Sequence, residues 1–413
     1  MESIVVTIYY ILFAFSFIYC MYFAITGLFG FKNYHKSMFG RHKAKYRFGI
    51  VIAGRNEEKV IGGLIKSLQK QHYPENLYEI FVVPNNCTDN TEGVAREAGA
   101  TIIHCDVPVK QKGDALEDTF KKLVKREDID AFVVFDADNL VHPDFLARMN
   151  DALCEGVEVA QCFRDAKNMG DNWLTGSYTL FYFIQNFFFN RARMNYSGSA
   201  AINGTGFMVR KSVLQKYGFK TRTITEDSEF TGQCALRGIQ VAFVEEAITY
   251  DEHPQSFWAS WKQRKRWTSG CLSCLQIYGG KLLKTFFKTG NIACFDMVMM
   301  YMAPLMVVLG FVLSVVLIAF HLLGVELFDF FSYLYASGIL FFIVFYLLSV
   351  AMNIFVVKYN KKNTKNIFSG IIFFALFLAT WIPINIICLF KKTNNWEQIK
   401  HDRSDVDLDQ LVN

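Results

Sequence analysis

Three regimes of hydrophobic patterning follow one another along the chain. Residues 4–30 (IVVTIYYILFAFSFIYCMYFAITGLFG) form an almost unbroken apolar run, long enough to cross a hydrocarbon core of about 30 Å. From about 48 to 250 short apolar runs alternate with stretches of helical period. FGIVIA (48–53), EIFVVP (79–84), TIIHC (101–105) and AFVVFD (131–136) are short, β-branched and followed by polar or turn residues, the mark of buried strands. Residues 57–71, 90–98 and 111–125 carry helical periodicity between them. Such alternation predicts an α/β fold, a parallel sheet with helices on both faces. Ligands of these sheets bind beyond the carboxyl ends of the strands. The polar clusters GRNEE, NNCTDNT and DAD fall at those ends.

Beyond 290 the chain is apolar again over 293–323, 330–357 and 367–390, each run being long enough to span a bilayer. The first run, 4–30, reads as an uncleaved anchor: no basic region precedes it, it exceeds the apolar length of a secretory signal, and no A-x-A site follows. Lys32, His35, Lys36, Arg41, Lys43, Lys45 and Arg47 come directly after it, so the positive-inside rule places the next domain in the cytoplasm. The later flanks conflict. HLLGVELFDFF between the first two C-terminal runs has no Lys or Arg and reads as outside, whereas KYNKKNTK (358–365) and KKTNNWEQIKHDR (391–403) are both basic and read as inside. One span cannot begin and end on the same side. Either 367–390, broken at Pro383, is a re-entrant hairpin, or 293–323 is partly interfacial around Pro304, or the charge rule fails at the C-terminus.

Composition supports a membrane setting: of 413 residues, 52% are hydrophobic and 16% aromatic but only 20% charged, more apolar than soluble proteins usually are. The net charge of +5 is modest, and its basic residues cluster beside apolar runs rather than over one face as in a nucleic-acid binder. The ten cysteines show no spacing of zinc or disulfide type, as suits a reducing compartment. No G-x-G-x-x-G or P-loop is present, which removes the phosphate cradle of dinucleotide and NTPase folds. Sequons at Asn86, Asn195 and Asn203 are chance matches in a cytoplasmic domain.

Three clusters carry chemistry. FDADN (135–139) places two carboxylates at i and i+2 just past a buried strand, where one can ligate Mg²⁺ or Mn²⁺ that also holds a diphosphate; a solvated turn has the same composition. In TITEDSEF (223–230) a threonine can cap a helix whose first turn carries Glu226, Asp227 and Glu229, which the helix dipole favours on its own. Asp227 held there can also take a proton from an attacking hydroxyl. SFWASWKQRKRWTSG (256–270) sets Lys262, Arg264, Lys265 and Arg266 among three tryptophans. On a helix Gln263, Arg266 and Trp267 share one face, offering a guanidinium fork for diphosphate oxygens and a flat plate for a sugar ring. An amphipathic helix resting on anionic lipid reads the same way.

The ordered motifs RNE (55–57), NNCTDNT (85–91), KGDAL (112–116), DAD (136–138), TED (225–227) and QRKRW (263–267) resemble the processive family-2 glycosyltransferases, the cellulose, hyaluronan, chitin and poly-N-acetylglucosamine synthases and bacterial β-glucan relatives. The resemblance covers about residues 48–270, with the flanking membrane segments in outline. It implies a cytoplasmic GT-A domain inserted between transmembrane helices, with amphipathic interfacial helices, a UDP-sugar donor, a glycan acceptor, and inversion at the anomeric carbon. Carried over residue by residue, Ala53, Glu57, Asn85, Lys112 and Asp136 lie at the nucleotide and Asp138 ligates the metal. Asp227 is the general base, Gln263 and Arg266 hold the diphosphate with the neighbouring basic residues helping to neutralise it, and Trp267 meets the acceptor sugar. Where the family has two adjacent acids after the second strand this chain has Pro84 and Asn85, keeping only Asp89, so a nucleotide sugar is a firmer expectation than UDP.

The expected organisation is an anchor at 4–30, a catalytic domain at 48–253, interfacial helices at 254–290, a membrane region at 293–390 and a cytoplasmic tail at 391–413. Residues 172–195 are expected to form an interfacial helix roofing the active site, and 203–214 a glycine loop entering a short strand and a helix. Trp396 or His401 of the tail is expected to close over the cleft when nucleotide binds. The resulting expectation is a polysaccharide synthase that passes a β-linked glucan through the membrane. A non-processive transferase acting on a lipid is the alternative within the enzyme class. Outside that class the alternative is a scaffold or channel, against which stand the retained Asp136, Asp138, Asp227, Gln263, Arg266 and Trp267 and the absence from the spans of the charged residues a transport pathway would usually need.

Overall fold

The computed structural model describes residues 2–32, 39–196, 198–325, 338–393, 406 and 408–412. Eight strands build one sheet: β1 (Phe48–Gly54), β2 (Tyr78–Pro84), β3 (Thr101–Ile102), β4 (Ala131–Asp136), β5 (Leu140–Val141), β6 (Val159–Ala166), β7 (Phe207–Arg210) and β8 (Val241–Asp251), in the order β3-β2-β1-β4-β7-β6-β8-β5. The β3-β2-β1-β4 half is parallel, β7 runs antiparallel between β4 and β6, and β6 pairs β8 in parallel. The central strands β1 and β4 are buried on both faces, which is why they read as unbroken apolar runs. The expected strand at 101–105 is shorter than its apolar pattern: only Thr101 and Ile102 pair, with Phe81 and Val82, at the sheet edge.

The helices are α1 (Glu2–Leu28), α2 (Ile61–Gln69), α3 (Thr91–Glu97), α4 (Lys112–Leu123), α5 (Phe145–Cys154), α6 (Trp173–Ile184), α7 (Ala192–Asn195), α8 (Lys211–Tyr217), α9 (Glu226–Leu236), α10 (Phe257–Thr289), α11 (Ile292–Leu322), α12 (Gly338–Tyr359), α13 (Phe368–Ala379), α14 (Trp381–Phe390) and α15 (Leu408–Val412). Between α6 and α7, Gln185–Arg191 is a π-helix, a widened turn that often marks a functional position. The segment 173–195 does roof the cleft, but its outer side is covered by α13 instead of being left open. At the crossing, a Cβ on Gly370 would lie 2.5 Å from the carbonyl carbon of Gly176. Two glycines therefore let the backbones touch.

Ile4–Phe31, Ile292–Leu322 and Thr364–Phe390 are long and apolar enough to cross a membrane, and Ile343–Tyr359 is a shorter apolar helix. α1 and α11 run antiparallel: Tyr22 donates to Asp296 at one end, and Tyr9 packs edge-on against Phe320 at the other. α11 contains Pro304 and changes character there. Cys294, Asp296, Met297, Val298 and Tyr301 are buried against protein, whereas Phe311, Val312, Val315, Ile318 and Leu322 are exposed.

The run 364–390 is the informative case, because length and composition alone make it a span. It breaks at Thr380, where Pro383, three positions on, lacks the N–H that would continue the ladder. Arg264 answers the break: its Nη1 donates to the Phe377 carbonyl at 3.2 Å and to Thr380 Oγ1 at 2.5 Å. Just before the segment, Lys362 pairs with Asp165 of β6 at 2.7 Å; just after it, Lys392 donates to Gln276 of α10, and the Thr393 amide to Ser269 Oγ at 3.1 Å. Both ends are tied to the unit that carries the sheet. The tail's Trp396 and His401 lie outside the described residues, but α15 seats Leu408 against Leu140 and Tyr250 and sets Asp409 3.7 Å from Lys70.

The glycine crossing generates a stability prediction. Gly370→Val forces α6 and α13 apart, and overpacking of this kind costs about 1–3 kcal/mol. The expected outcome is a lower melting temperature in detergent with the α13 to α6 contact loosened, while Gly280→Ala, whose Cβ meets nothing within 4 Å inside α10, does not lower melting and by helix propensity raises it slightly.

Candidate active site

Every polar cluster at a strand end opens onto one cavity of about 630 Å³. The loop after β1 is shaped by Asn56, which adopts a positive φ of 59°, a region that asparagine tolerates better than most residues. Asn56 Oδ1 accepts the Thr88 amide at 2.7 Å, and the Glu57 amide donates to Thr91 Oγ1 at 2.8 Å. RNE and NNCTDNT are thus one interlocked wall. Asn85 belongs to it: its Nδ2 donates to the Gly54 carbonyl at 3.0 Å. Its side chain here holds the neighbouring loop.

Lys112, first residue of α4, is the hub. Its Nζ lies 2.5 Å from Asp136 Oδ1, 2.6 Å from the Gly204 carbonyl and 3.6 Å from Glu226. Gly113 makes this approach available, since a Cβ there would meet Thr221 Oγ1 at 2.4 Å. Burial alone would lower the Lys112 pKa, but Asp136 and Glu226 outweigh it and hold the ammonium above its usual value. Burial pushes Glu226 up to about 7 against the opposing charge of Lys112. Asp227 is raised as well, again by burial, with the Ser228 amide, Lys112 and Arg164 opposing. Gly204, at φ +84°, lies between the two motifs: a Cβ there would be 3.4 Å from Asp227 Oδ2 and 4.0 Å from Asp136 Oδ2. The glycine loop and the short β7 and α8 that follow it appear where the sequence pattern put them.

A second network lies behind the first. The Asp136 amide donates to Thr205 Oγ1 at 2.9 Å, Thr205 donates to Asn139, and Asn139 Nδ2 donates to Asp251 Oδ1 at 2.8 Å. Arg164 closes it with Nε 2.5 Å from Asp251 Oδ2, Nη1 2.5 Å from the Asn203 carbonyl, and its guanidinium 4.1 Å from the Tyr182 ring centre. Burial carries Asp251 up to about 6 despite Arg164. His253 is stacked between Tyr178 and Tyr182, each 5.5 Å away, and burial together with Arg164 lowers it to about 3. Arg164, Asp251 and His253 line the cavity and were not singled out from sequence, whereas Glu226 was noted only as part of the TED helix start. A lone charge at the end of a strand carries no signal until its partner, far along the chain, is placed.

Asp138 is buried, and its Oδ2 accepts the Glu252 amide at 3.2 Å. Among the described residues no group of three or more His, Cys, Asp or Glu converges to hold a metal. Asp136 faces Lys112, and Asp138, two residues on, lines the same cavity and could contribute one carboxylate. That fits an ion such as Mg²⁺ or Mn²⁺, which takes one or two carboxylates and completes its shell with substrate phosphates and water.

α10 supplies the opposite wall. Gln263, Arg266 and Trp267 all line the cavity, as their i, i+3, i+4 spacing requires. The other basic residues of the cluster do not: Arg264 is buried against the Thr380 break and Lys262 is exposed. This corrects the expectation that the cluster acts together on a diphosphate. Residues two apart on a helix point about 200° from each other. Gly270 permits the close pass of α10 over the TED turn, since a Cβ there would fall 2.0 Å from Thr225 Oγ1. Trp267 packs in near-parallel contact with Phe181 and with Trp381 of α14, at 6.5 and 6.3 Å.

Residues 46–270 match the glycosyltransferase-like family 2. The chain belongs to that family. It is 26% identical over 385 residues to the probable glycosyltransferase YdaM of Bacillus subtilis, covering 87% of this chain and 88% of that protein. To the beta-monoglucosyldiacylglycerol synthase of Nostoc it is 26% identical over 264 residues, 62% of this chain and 56% of the relative's length. Among solved structures it resembles the mannosyltransferase PcManGT of Pyrobaculum calidifontis, in complex with GDP-Man and Mn²⁺, at a TM-score of 0.59 and 14% identity over 89% of this chain and 98% of that one. The sheet of this family-2 transferase is therefore the GT-A fold, as the motif resemblance implied, flanked by apolar helices.

The Lys112 hub yields a prediction. Lys112→Met leaves Asp136 and Glu226 without their cation. Full burial would make such a loss larger, but Asp136 is partly exposed, so the expected destabilisation is about 1–3 kcal/mol. Nucleotide affinity measured by calorimetry is expected to fall at least about tenfold; unchanged affinity would remove Lys112 from the donor site.

Proposed function

We propose that this family-2 transferase moves a hexose from a nucleotide sugar to a hydroxyl group of a membrane lipid. One observation carries the reading: the cavity that holds Asp136, Asp138 and Asp227 is continuous with Met300, Ala303, Pro304 and Val307 of α11 and with Leu378, Trp381 and Asn385 of α13 and α14. The lipid acceptor named for the Nostoc relative supports it.

In this reading Ala53, Glu57, Asn85 and Asp136 hold the nucleoside, and Lys112, Gln263 and Arg266 hold the diphosphate. Asp138 would hold the Mg²⁺ or Mn²⁺, which supplies further charge neutralisation to the departing diphosphate; the Mn²⁺ of PcManGT supports a divalent ion. Asp227 takes the proton from the acceptor hydroxyl as its oxygen bonds to the anomeric carbon, and the diphosphate leaves from the opposite face, inverting the centre. The enclosure of Phe181, Trp267 and Trp381 excludes water from that carbon.

The sheet-bearing unit lies on the cytoplasmic side, with α1, α11 and α12 crossing the membrane. α13 and α14 re-enter and stay on the catalytic side, as the ties at Lys362 and Lys392 support. The basic flanks at 358–365 and 391–403 then agree. A processive glucan synthase remains the second reading because Gln263, Arg266 and Trp267 share one cavity wall. Purified protein supplied with labelled UDP-glucose and diacylglycerol vesicles separates the two: a single chloroform-soluble glycolipid is expected, and a water-soluble polymer would overturn the lipid reading.

Asp227→Asn is expected to leave nucleotide binding near normal and to lower transfer about 10²–10⁴-fold. Because burial raises the Asp227 pKa, the proton-accepting form exists above that raised value. Transfer in the parent enzyme is expected to fall as pH drops through it and to be retained as pH rises. Asp138→Ala is expected to abolish both activity and its response to Mn²⁺; turnover that still titrates with Mn²⁺ would move the metal elsewhere.

A further inference from the structure

We infer that the acceptor reaches the active site sideways from the bilayer, through a gap between α11 and α13, and that its head group is uncharged. The inference rests on the reading that a lipid hydroxyl is the acceptor, and it names the class of lipid and its path.

The path follows from two residues of the cavity lining, one on each helix. Val307 of α11 and Leu378 of α13 both line it, and they are 39% and 42% exposed. Side chains that belong to the cavity wall and to the outer apolar surface at once mark a place where the two meet. Val307 is one turn beyond Pro304, where α11 passes from protein-buried to exposed side chains. Acyl chains held against Phe311, Val315 and Phe373, which are exposed on the same helices, keep their apolar surroundings while the head group reaches inward.

The charge of that head group follows from what lines the inner end. The cavity residues contributed by α11, α13 and α14 are Met300, Ala303, Pro304, Val307, Leu378, Trp381 and Asn385, and none is ionisable. The cation beside them, Arg264, is buried behind Trp381 outside the cavity lining, with Nη1 on the Phe377 carbonyl and Thr380 Oγ1. Arg266 is taken by the diphosphate in the reading above. A lipid phosphate seated here would lose its hydration without a counter-charge, a cost far larger than that of a hydroxyl. The polar groups present suit hydroxyls. Trp381 Nε1–H is buried without a hydrogen-bond partner, so a hydroxyl oxygen accepting from it relieves an unsatisfied donor. The Asn385 carboxamide is held by Thr268, whose Oγ1 donates to its Oδ1 at 3.0 Å. The occupant is therefore a neutral lipid with a free hydroxyl, of the diacylglycerol kind.

The test uses the full chain in vesicles with UDP-glucose and a diacylglycerol carrying a photoactivatable diazirine on one acyl chain. Crosslinks are expected on peptides 300–315 and 373–385, to be displaced by plain diacylglycerol and not by phosphatidic acid. Val307→Trp is expected to lower glucosylation of the embedded lipid at least about tenfold without changing UDP binding, and Trp381→Phe, which keeps the ring and removes the donor, is expected to raise the KM for lipid more than it lowers kcat. Lipid glucosylation that persists in Val307→Trp with crosslinks elsewhere overturns the gap alone. Displacement by phosphatidic acid as effective as by diacylglycerol overturns the uncharged head group. Elongation of a glycan with no glycolipid product overturns the lipid-acceptor reading itself, and the substrate class with it.

Discussion

A single buried ammonium organises this protein. Lys112 joins the end of β4 through Asp136, the start of α9 through Glu226 and the glycine loop through the Gly204 carbonyl. These elements come from three distant parts of the sequence. Each presents acceptors that would repel one another without a cation among them, because like charges at close range in a low dielectric are costly. With Lys112 in place Asp227 comes to rest beside Gly204 and within reach of the same cleft. The two carboxylate motifs are thus held by electrostatics, and the glycines at 113, 204 and 270 only clear the space for it.

The same logic ties the sheet to the apolar helices. Arg193 pairs with Asp296 of α11 at 3.1 Å, and Tyr22 and Tyr196 donate to the same carboxylate. Arg191 reaches Glu245 of β8, to which Tyr359 at the end of α12 donates at 2.9 Å. Lys362 reaches Asp165. Apolar contacts between helices in lipid give little orientation, since lipid tails are equally apolar; these buried polar ties fix which helix faces the cleft. Each ties an apolar helix, or the loop at its end, to the sheet-bearing unit.

Much of this was legible in the sequence where chemistry and local period coincide. FGIVIA and AFVVFD read as strands because they are short, β-branched and closed by polar or turn residues, and Gln263, Arg266 and Trp267 share a wall because their spacing puts them on one face of a helix. Arg164 and Asp251 were silent because their contact depends on β6 and β8 pairing in register, with Arg164 opposite Thr249 and Asp165 opposite Tyr250. Trp381 and Asn385 were silent for a different reason. Hydropathy averages them into an apolar run, and only the break at Thr380, together with the glycine crossing at 176 and 370, turns them toward the cavity. The four basic residues of 262–266 looked like one functional unit because composition ignores direction around a helix.

The C-terminus adds a constraint that hydropathy could not supply. Leu408 of α15 packs on Leu140 and Tyr250, which stand two residues after Asp138 and one before Asp251. The last turn of the chain thus braces the loop that presents the carboxylates of the cleft from behind. Such a contact requires the C-terminus and the sheet to share one side of any membrane, whichever side that is. At the other end of the molecule α1 packs its far end on the far end of α11, while its near end reaches Phe187 and Tyr196. The three crossings with a re-entrant α13–α14 proposed above are compatible with that contact. The kink at Thr380, which hydropathy treats as an incidental flaw in a fourth span, is on this argument what lets the chain turn Trp381 and Asn385 toward the cleft and still bring its C-terminus back to the sheet.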